Sequence, residues 1–382
     1  GFAIVAVVVL TLGIGATTAI YSVVDAVALR GLPFDRADRL VIVDETNPTA
    51  KGLTGGYVNA ANFFDWRSAQ HSFEDLAAFQ GLSLTVFDNG EPENLRAMMA
   101  SASLMPLLRV SPHYGRLFTA EHEVEGRHHV ALISDALWKR RFNADPTIVG
   151  RTFTVGQPGA AAVGRDDGVW EVLGVMPEGF EFPVGRLKPI DVWTPYVPTK
   201  DEYPRGDGRS RNYNAQVLGR LKDGVTKDQA YAEMSAITAS LKAKYPNWFR
   251  DRWVGVTPLH ESIVGKARGW MFLLLGAVAF VLLIACVNVA NLMLTRATAR
   301  SRDVSVRAAL GASRWQLARA LLAESLLLAS IGTLCGVVAA WWGVSVLRAT
   351  LPASLPRVAD IAINGRVLLA ASVAAVTTGV LF

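Results

Sequence analysis

The densest run of chemically capable side chains is His122-Glu123-Val124-Glu125-Gly126-Arg127-His128-His129. Imidazoles and carboxylates together can hold a divalent cation or activate a water molecule. A zinc-hydrolase helix, however, places its two histidines four residues apart on one face, and here the second follows six after the first. The glycine and the dense charge describe a solvated loop. Asp166-Asp167-Gly168 has the start of a calcium turn without the ligands that should follow, so it reads as a plain turn. No G-x-x-x-x-G-K-[ST] phosphate loop occurs. Gly265-Lys266-Ala267-Arg268 lacks both the earlier glycine and the hydroxyl, which excludes a nucleotide cradle of that type. No G-x-S-x-G nucleophile turn is present either. Arg205 to Arg211, with Gly206, Gly208 and Ser210, is a basic loop suited to solvent or to an anionic ligand or head group. No catalytic residue and no metal site are therefore expected in this chain, and a non-enzymatic role follows.

The elements that carry these residues are of two materials. Charge is missing from Phe2 to Val24, from Gly269 to Thr295, from Ser325 to Leu347, and from Val367 onward. About 20 apolar residues cross a bilayer as helix, so the chain predicts an α-helical membrane protein with a large inserted extracytoplasmic α+β domain. The expected order is transmembrane helix 1 (1–24), the outer domain (25–268), helix 2 (269–295), a cytoplasmic segment (296–324), helix 3 (325–347), an outer loop (348–366) and helix 4 (367–382). Both ends fall inside hydrophobic runs, which predicts a piece of a longer protein. Ala26-Val27-Ala28 has the form of a signal-peptide cleavage site, but the apolar stretch before it is too long and Asp25 intervenes, so a retained helix is expected.

The formal charge of +5 does not indicate nucleic acid, because many arginines flank apolar runs. Arg296, Arg300, Arg302, Arg307, Arg314 and Arg319 face only Asp303 and Glu324 between helices 2 and 3, which places that loop in the cytoplasm. The lipid bilayer is thus one partner, with the large domain outside. Cys286 and Cys335, the only cysteines, lie in apolar runs, so the outer domain has no disulfide. Gly13, Gly15, Ala16 and Ala19 in the first helix fit either close helix packing or the ordinary small-residue content of membrane helices.

Within the domain, alternation or β-rich composition predicts strands at Ser83–Asp88, His129–Ile133, Arg151–Val155, Trp170–Met176, Ile190–Tyr196, Tyr213–Leu221 and Trp253–Leu259. Asp88-Asn89-Gly90 is a turn signal. Thr226 with Gln229 has capping-box spacing ahead of the stripe Ala230, Met234, Ile237 and Leu241, and Pro246 ends that helix. Ser134 caps a second helix carrying Leu137, Trp138 and Phe142.

The most informative stretch is Arg302-Asp303-Val304-Ser305-Val306-Arg307-Ala308-Ala309-Leu310-Gly311-Ala312-Ser313. It reads as a short basic helix that stops at Gly311, with Ser313 able to cap the next helix. A loop that only turned round could be much shorter, so a docking surface is expected. The segment resembles the cytoplasmic motif of FtsX/MacB-family ABC transporter permeases, where an acidic and an aliphatic residue precede Arg and Ala-Leu-Gly-Ala follows. Asp303-Val304 stands where Glu-Ile is usual. Ala131 to Ser134, Leu137 to Phe142, Asp145-Pro146, Val149-Gly150, Val172 to Pro177 and Phe180 to Pro183 are similar to the MacB-like periplasmic core domain. The first helix resembles that of duplicated acidobacterial permeases.

The resemblance implies a permease subunit in a bacterial inner membrane that works with a separate cytoplasmic ABC ATPase. ATP and Mg would then be bound by that partner, with no cofactor in this chain. It implies ATP-driven motion passed to the outer domain, in efflux, lipoprotein release or cell-wall control, by a homodimer or a duplicated-half assembly. The implied ATPase contact is Arg302, Asp303, Val306, Arg307, Leu310 and Gly311. The alternative is a membrane receptor whose outer domain binds a ligand.

Overall fold

The computed structural model describes residues 2–46, 56–87, 92–156, 168–185, 189–198, 213–246, 252–299, 314–350 and 361–381. It divides into two compact units: Gly31–Val184 with Lys188–Ile263, and Gly1–Arg30 with Gly185–Leu187 and Val264–Phe382.

Among the described residues, the first unit is built on one mixed sheet of eleven strands. These are β1 (Leu40–Thr46), β2 (Val58–Asn59), β3 (Phe73–Val86), β4 (Glu93–Ala100), β5 (Tyr114–Gly115), β6 (Val130–Ile133), β7 (Thr152–Gly156), β8 (Gly168–Val175), β9 (Val192–Pro195), β10 (Tyr213–Leu221) and β11 (Trp253–Pro258). The order is β11-β1-β10-β3-β4-β9-β6-β8-β5, with β2 on β10 and β7 bridging β3 and β8. Most pairs are antiparallel. The pairs β4–β9 and β6–β8 are parallel, and parallel neighbours require long crossovers. The segment between β6 and β8 supplies one, with helix α4 (Asp135–Phe142) in it.

Three apolar cores hold this sheet. Helices α2 (Ala60–Ala69) and α5 (Lys227–Lys244) share a core in which Phe63, Trp66, Ala230 and Met234 meet Val43, Phe73 and Val217. The short helix α3 (Leu104–Leu108) packs its leucines with Phe79, Phe182 and Trp193. Leu137 and Trp138 of α4 pack with Phe153, Trp170 and Val172. The helix starts follow from local chemistry. Thr226 and Gln229 make the reciprocal capping box before α5, satisfying two amide donors that the first turn leaves open. Ser134 Oγ accepts the Leu137 N–H at 3.1 Å before α4.

The second unit is helical. It comprises α1 (Phe2–Val24), most of α6 (Leu259–Ala299), α7 (Arg314–Thr350) and α8 (Gly365–Leu381). Among the described residues, three stretches are long and apolar enough to cross a membrane: Ala3–Leu29, Arg268–Thr295 and Leu326–Arg348. Gly365–Thr378 is a shorter apolar helix. The small residues of α1 pack closely. A Cβ placed on Gly15 would lie 3.0 Å from the Gly336 carbonyl oxygen of α7, and one on Gly13 would lie 3.1 Å from the Ala285 Cβ of α6. Thr11 Oγ1 donates to the Gly332 carbonyl at 3.4 Å. Of the two readings of these glycines, close backbone approach is the one realised.

Candidate functional site

Arg302, Asp303, Val306, Arg307, Leu310 and Gly311 lie outside the described residues, as do Asp166, Asp167, Arg205 to Arg211, Asp88 to Gly90 and the 351–360 stretch. What is described is the pair of helices that brackets the 300–313 segment. Helix α6 has 41 residues and α7 has 37. At 1.5 Å per residue these are rods of roughly 61 and 55 Å, well beyond the ~30 Å apolar thickness of a bilayer. Helix α7 enters its apolar stretch at Leu326 only after the twelve residues Arg314–Ser325, about 18 Å of helix. Arg319 in that extension is exposed. Helix α6 starts directly after Pro258, the last residue of β11, and continues without a break to Ala299.

A buried carboxylate to which the sequence reading gave no role lies just past the end of α1. Helix α1 passes at Val24 into a single π-helical turn, Asp25–Leu29. Asp25 is 1% exposed. Its Oδ2 accepts a hydrogen bond from Asn364 Nδ2 at 2.7 Å and lies 3.5 Å from Arg30 Nη2. Asn364 in turn caps α8, its Oδ1 accepting the Val367 N–H at 3.0 Å. Three residues before Asn364, Ile361 is fully buried among Ala19, Ala26, Ala340 and Val344, and the Arg348 guanidinium donates to its carbonyl. No spacing in the sequence could have paired Asp25 with Asn364. The available signal was an acidic residue at the end of an apolar run, where a charge is rare and needs a partner.

In the outer domain the histidine-rich loop closes on itself. His122 Nδ1 accepts the Thr119 N–H at 3.0 Å and His128 Nδ1 accepts the Gly126 N–H at 3.2 Å. Among the described residues, no three His, Cys, Asp or Glu side chains converge on a point that could hold a metal ion. Glu123 ties this loop to the rest of the domain: its Oε1 accepts the Ala102 N–H at 2.6 Å, and Arg67 stands 3.8 Å away; the His129 carbonyl likewise accepts the Glu171 N–H at 3.0 Å. Burial holds the Glu123 carboxyl above the usual range, against the opposing pull of Ala102 and Arg67. Arg220 on β10 is fully buried. It donates through Nε to the Leu107 carbonyl at 2.6 Å and through Nη1 to the Arg36 carbonyl at 3.1 Å. Arg36 itself has positive φ, and so does Arg109, two residues after Leu107, so the guanidinium pins two tight turns rather than forming a reaction centre.

Two folded units of these kinds invite comparison with known proteins. Residues 3–237 match the MacB-like periplasmic core domain family, and residues 275–382 match the FtsX-like permease C-terminal family. The chain belongs to the MacB/FtsX family of ABC transporter permeases. It is 24% identical over 268 residues to the macrolide export ATP-binding/permease protein MacB of Escherichia coli (strain K12), covering 70% of this chain and 37% of that protein. It is 28% identical over 225 residues to MacB 2 of Aeromonas hydrophila subsp. hydrophila, covering 58% of this chain and 31% of that one. The matched part is thus well under half the length of these relatives. Among solved structures, the periplasmic region of MacB from Actinobacillus actinomycetemcomitans aligns over 61% of this chain and 94% of its own, at 13% identity and a TM-score of 0.41. As in other MacB/FtsX permeases, membrane helices flank a large α+β domain that lies outside the cytoplasm.

Proposed function

We propose that this chain transmits ATP-driven motion from an ABC ATPase in the cytoplasm to its outer domain, in the service of export. The observation that carries the reading is the unbroken helix α6, which begins at the end of a core-domain strand and runs through an apolar span to the edge of the 300–313 segment. A stiff rod passes displacement with little loss, whereas a flexible linker would absorb it. The long α7 extension beyond its apolar stretch gives a second lever of the same kind.

The relatives named for macrolide export pair ATP-binding and permease functions in one protein. The ATPase proposed for this chain is a nucleotide-binding domain of that class, carried here by a separate subunit. The contact comprises Arg302, Asp303, Val306, Arg307, Leu310 and Gly311. Four-residue spacing puts Val306 and Leu310 on one helical face, able to enter an apolar groove, while the arginines engage acidic residues at its rim. Cargo is moved by shape change of the outer domain rather than through a wide pore.

Leu310→Asp tests this. It places a charge in the groove at a cost of several kcal/mol if unpaired, yet leaves every arginine that sets orientation in place. The variant should insert normally, lose co-purification with the ATPase and fail to stimulate ATP turnover. Wild-type binding and turnover in an inserted variant would show that coupling runs elsewhere.

A further inference from the structure

Helix α1 ends with its uncharged run at Val24, but the helical path does not stop there. After Val24 the chain makes one π turn, closed by the Arg30 N–H donating to the Asp25 carbonyl at 2.8 Å. Such a turn holds one residue more than an α turn, and single π turns of this sort recur at functional sites. It also sets the direction in which Asp25 projects, inward to Asn364 rather than out to the helix surface.

The bonding of Asp25 is uneven. Oδ2 has Asn364 at 2.7 Å and Arg30 at 3.5 Å. Oδ1 is buried and meets no donor among the described residues. Buried polar atoms are nearly always paired, and leaving one unpaired is costly. A permanent tie between two helices would be cheaper with Asn or Ser at this position. A carboxylate that is half satisfied holds the helices together while favouring any rearrangement that gives its second oxygen a partner. Asn364 is committed in two directions, through Nδ2 to Asp25 and through Oδ1 to the first turn of α8, so this one side chain joins the end of α1 to the start of α8.

We propose that Asp25 is a latch: through Asn364 it holds the end of α1 on the start of α8, and it releases when the membrane helices move in the ATP-driven cycle. The π turn supplies the slack, since converting it to α-helix shifts the register by one residue. The latch rests on the transmission role proposed above.

The test uses the full chain with its ATPase in lipid nanodiscs, with Cys286 and Cys335 replaced by Ser and with Asp25→Cys and Asn364→Cys introduced together. Oxidation without nucleotide should cross-link most of the protein. A non-hydrolysable ATP analogue present beforehand should lower the yield several-fold. Cross-linked protein should lose most of its stimulated ATP turnover and regain it on reduction. The swap Asp25→Asn with Asn364→Asp keeps both the hydrogen bond and a good helix cap. It should recover most of the turnover that each single change loses, and it carries the test if the cysteine pair does not insert. A swap no better than the single variants overturns the latch. So does the absence of a cross-link without nucleotide. A yield indifferent to nucleotide, in an assembly whose turnover Leu310→Asp still abolishes, makes the contact a fixed tie and leaves transmission standing. If no ATPase associates with the chain, transmission fails and the latch falls with it.

Discussion

Trp193 and Trp342 are the same side chain in the two units, yet Trp193 on β9 is fully buried and Trp342 on α7 is 69% exposed. The contrast extends to their neighbours. The outer domain encloses Trp66, Tyr196, Phe63 and Phe73 almost completely, while the membrane helices expose Trp270, Phe280, Leu334 and Trp341. In water an apolar side chain gains by leaving solvent, so the domain hides its largest residues. In a bilayer the lipid is as apolar as leucine and that gain disappears. The helices bury small residues among their contacts, Gly13, Gly15, Gly332 and Gly336, beside Leu10 and Ile14, and at Gly15 and Gly336 the backbones themselves come close.

The largest expected effect sharpens this contrast. Trp193→Ala should destabilise the outer domain by about 3–5 kcal/mol through lost burial and the cavity left behind. Trp342→Ala removes the same atoms from an exposed face and should leave thermal unfolding of the membrane-embedded protein nearly unchanged. Comparing the two melting curves in lipid checks both. A large loss from Trp342→Ala would mean that another protein surface, rather than lipid, covers that face.

An effect of intermediate size separates the glycines. A Cβ on Gly336 would stand 3.2 Å from the Gly15 nitrogen and 3.3 Å from the Thr11 carbonyl oxygen, whereas one on Gly276 of α6 meets nothing within 4 Å. Gly336→Ala must push α1 and α7 apart, an overpacking cost of about 1–3 kcal/mol. Gly276→Ala gains helix propensity, up to about 1 kcal/mol. Unfolding in mild detergent should show opposite signs for the two. Equal shifts would remove the glycine crossing as the reason these helices associate.

The same division governs what could be read from sequence. The spans were legible because twenty uncharged residues need no tertiary context. The Thr226–Gln229 box and the Ser134 cap were legible because capping is local. Strand β1 was not recognised, and its six consecutive buried residues explain why: a strand covered on both faces shows no alternation. Only the Ser83 end of β3 was recognised, because Leu76 to Phe79 at its centre are all buried. Helix α2 followed an available signal, Asn59, whose side chain accepts the Ala61 N–H at 2.9 Å. The Asp25 site depends on a partner 339 residues away, which no local pattern encodes.

The smallest expected effect concerns charge, and it belongs to the outer domain alone. Glu233 on α5 accepts the His71 N–H at 2.7 Å and the Ser72 N–H at 2.8 Å, with the His71 ring Nδ1 3.3 Å away. Burial by itself would raise its carboxyl pKa, but the hydrogen bonds from Ser72 and His71 outweigh it and hold the pKa below the usual glutamate value. A depressed folded-state pKa stabilises the fold above the unfolded value, and that contribution is lost as pH falls through the lower, folded one. The linked uptake is at most about one proton, and partial exposure weakens it further. Glu123 acts in the opposite sense. Its raised pKa gives a contribution that is complete below the unfolded value and lost as pH rises through the folded one. Glu233→Gln keeps an acceptor for one amide and removes the charge, so stability should decline less steeply as pH falls below the normal glutamate range. Glu123→Gln should instead flatten the loss on raising pH above that range. Denaturant midpoints of the membrane-embedded protein measured across acidic pH would resolve the two, and parallel curves for both variants and the wild type would show that neither carboxylate is held by the domain as described.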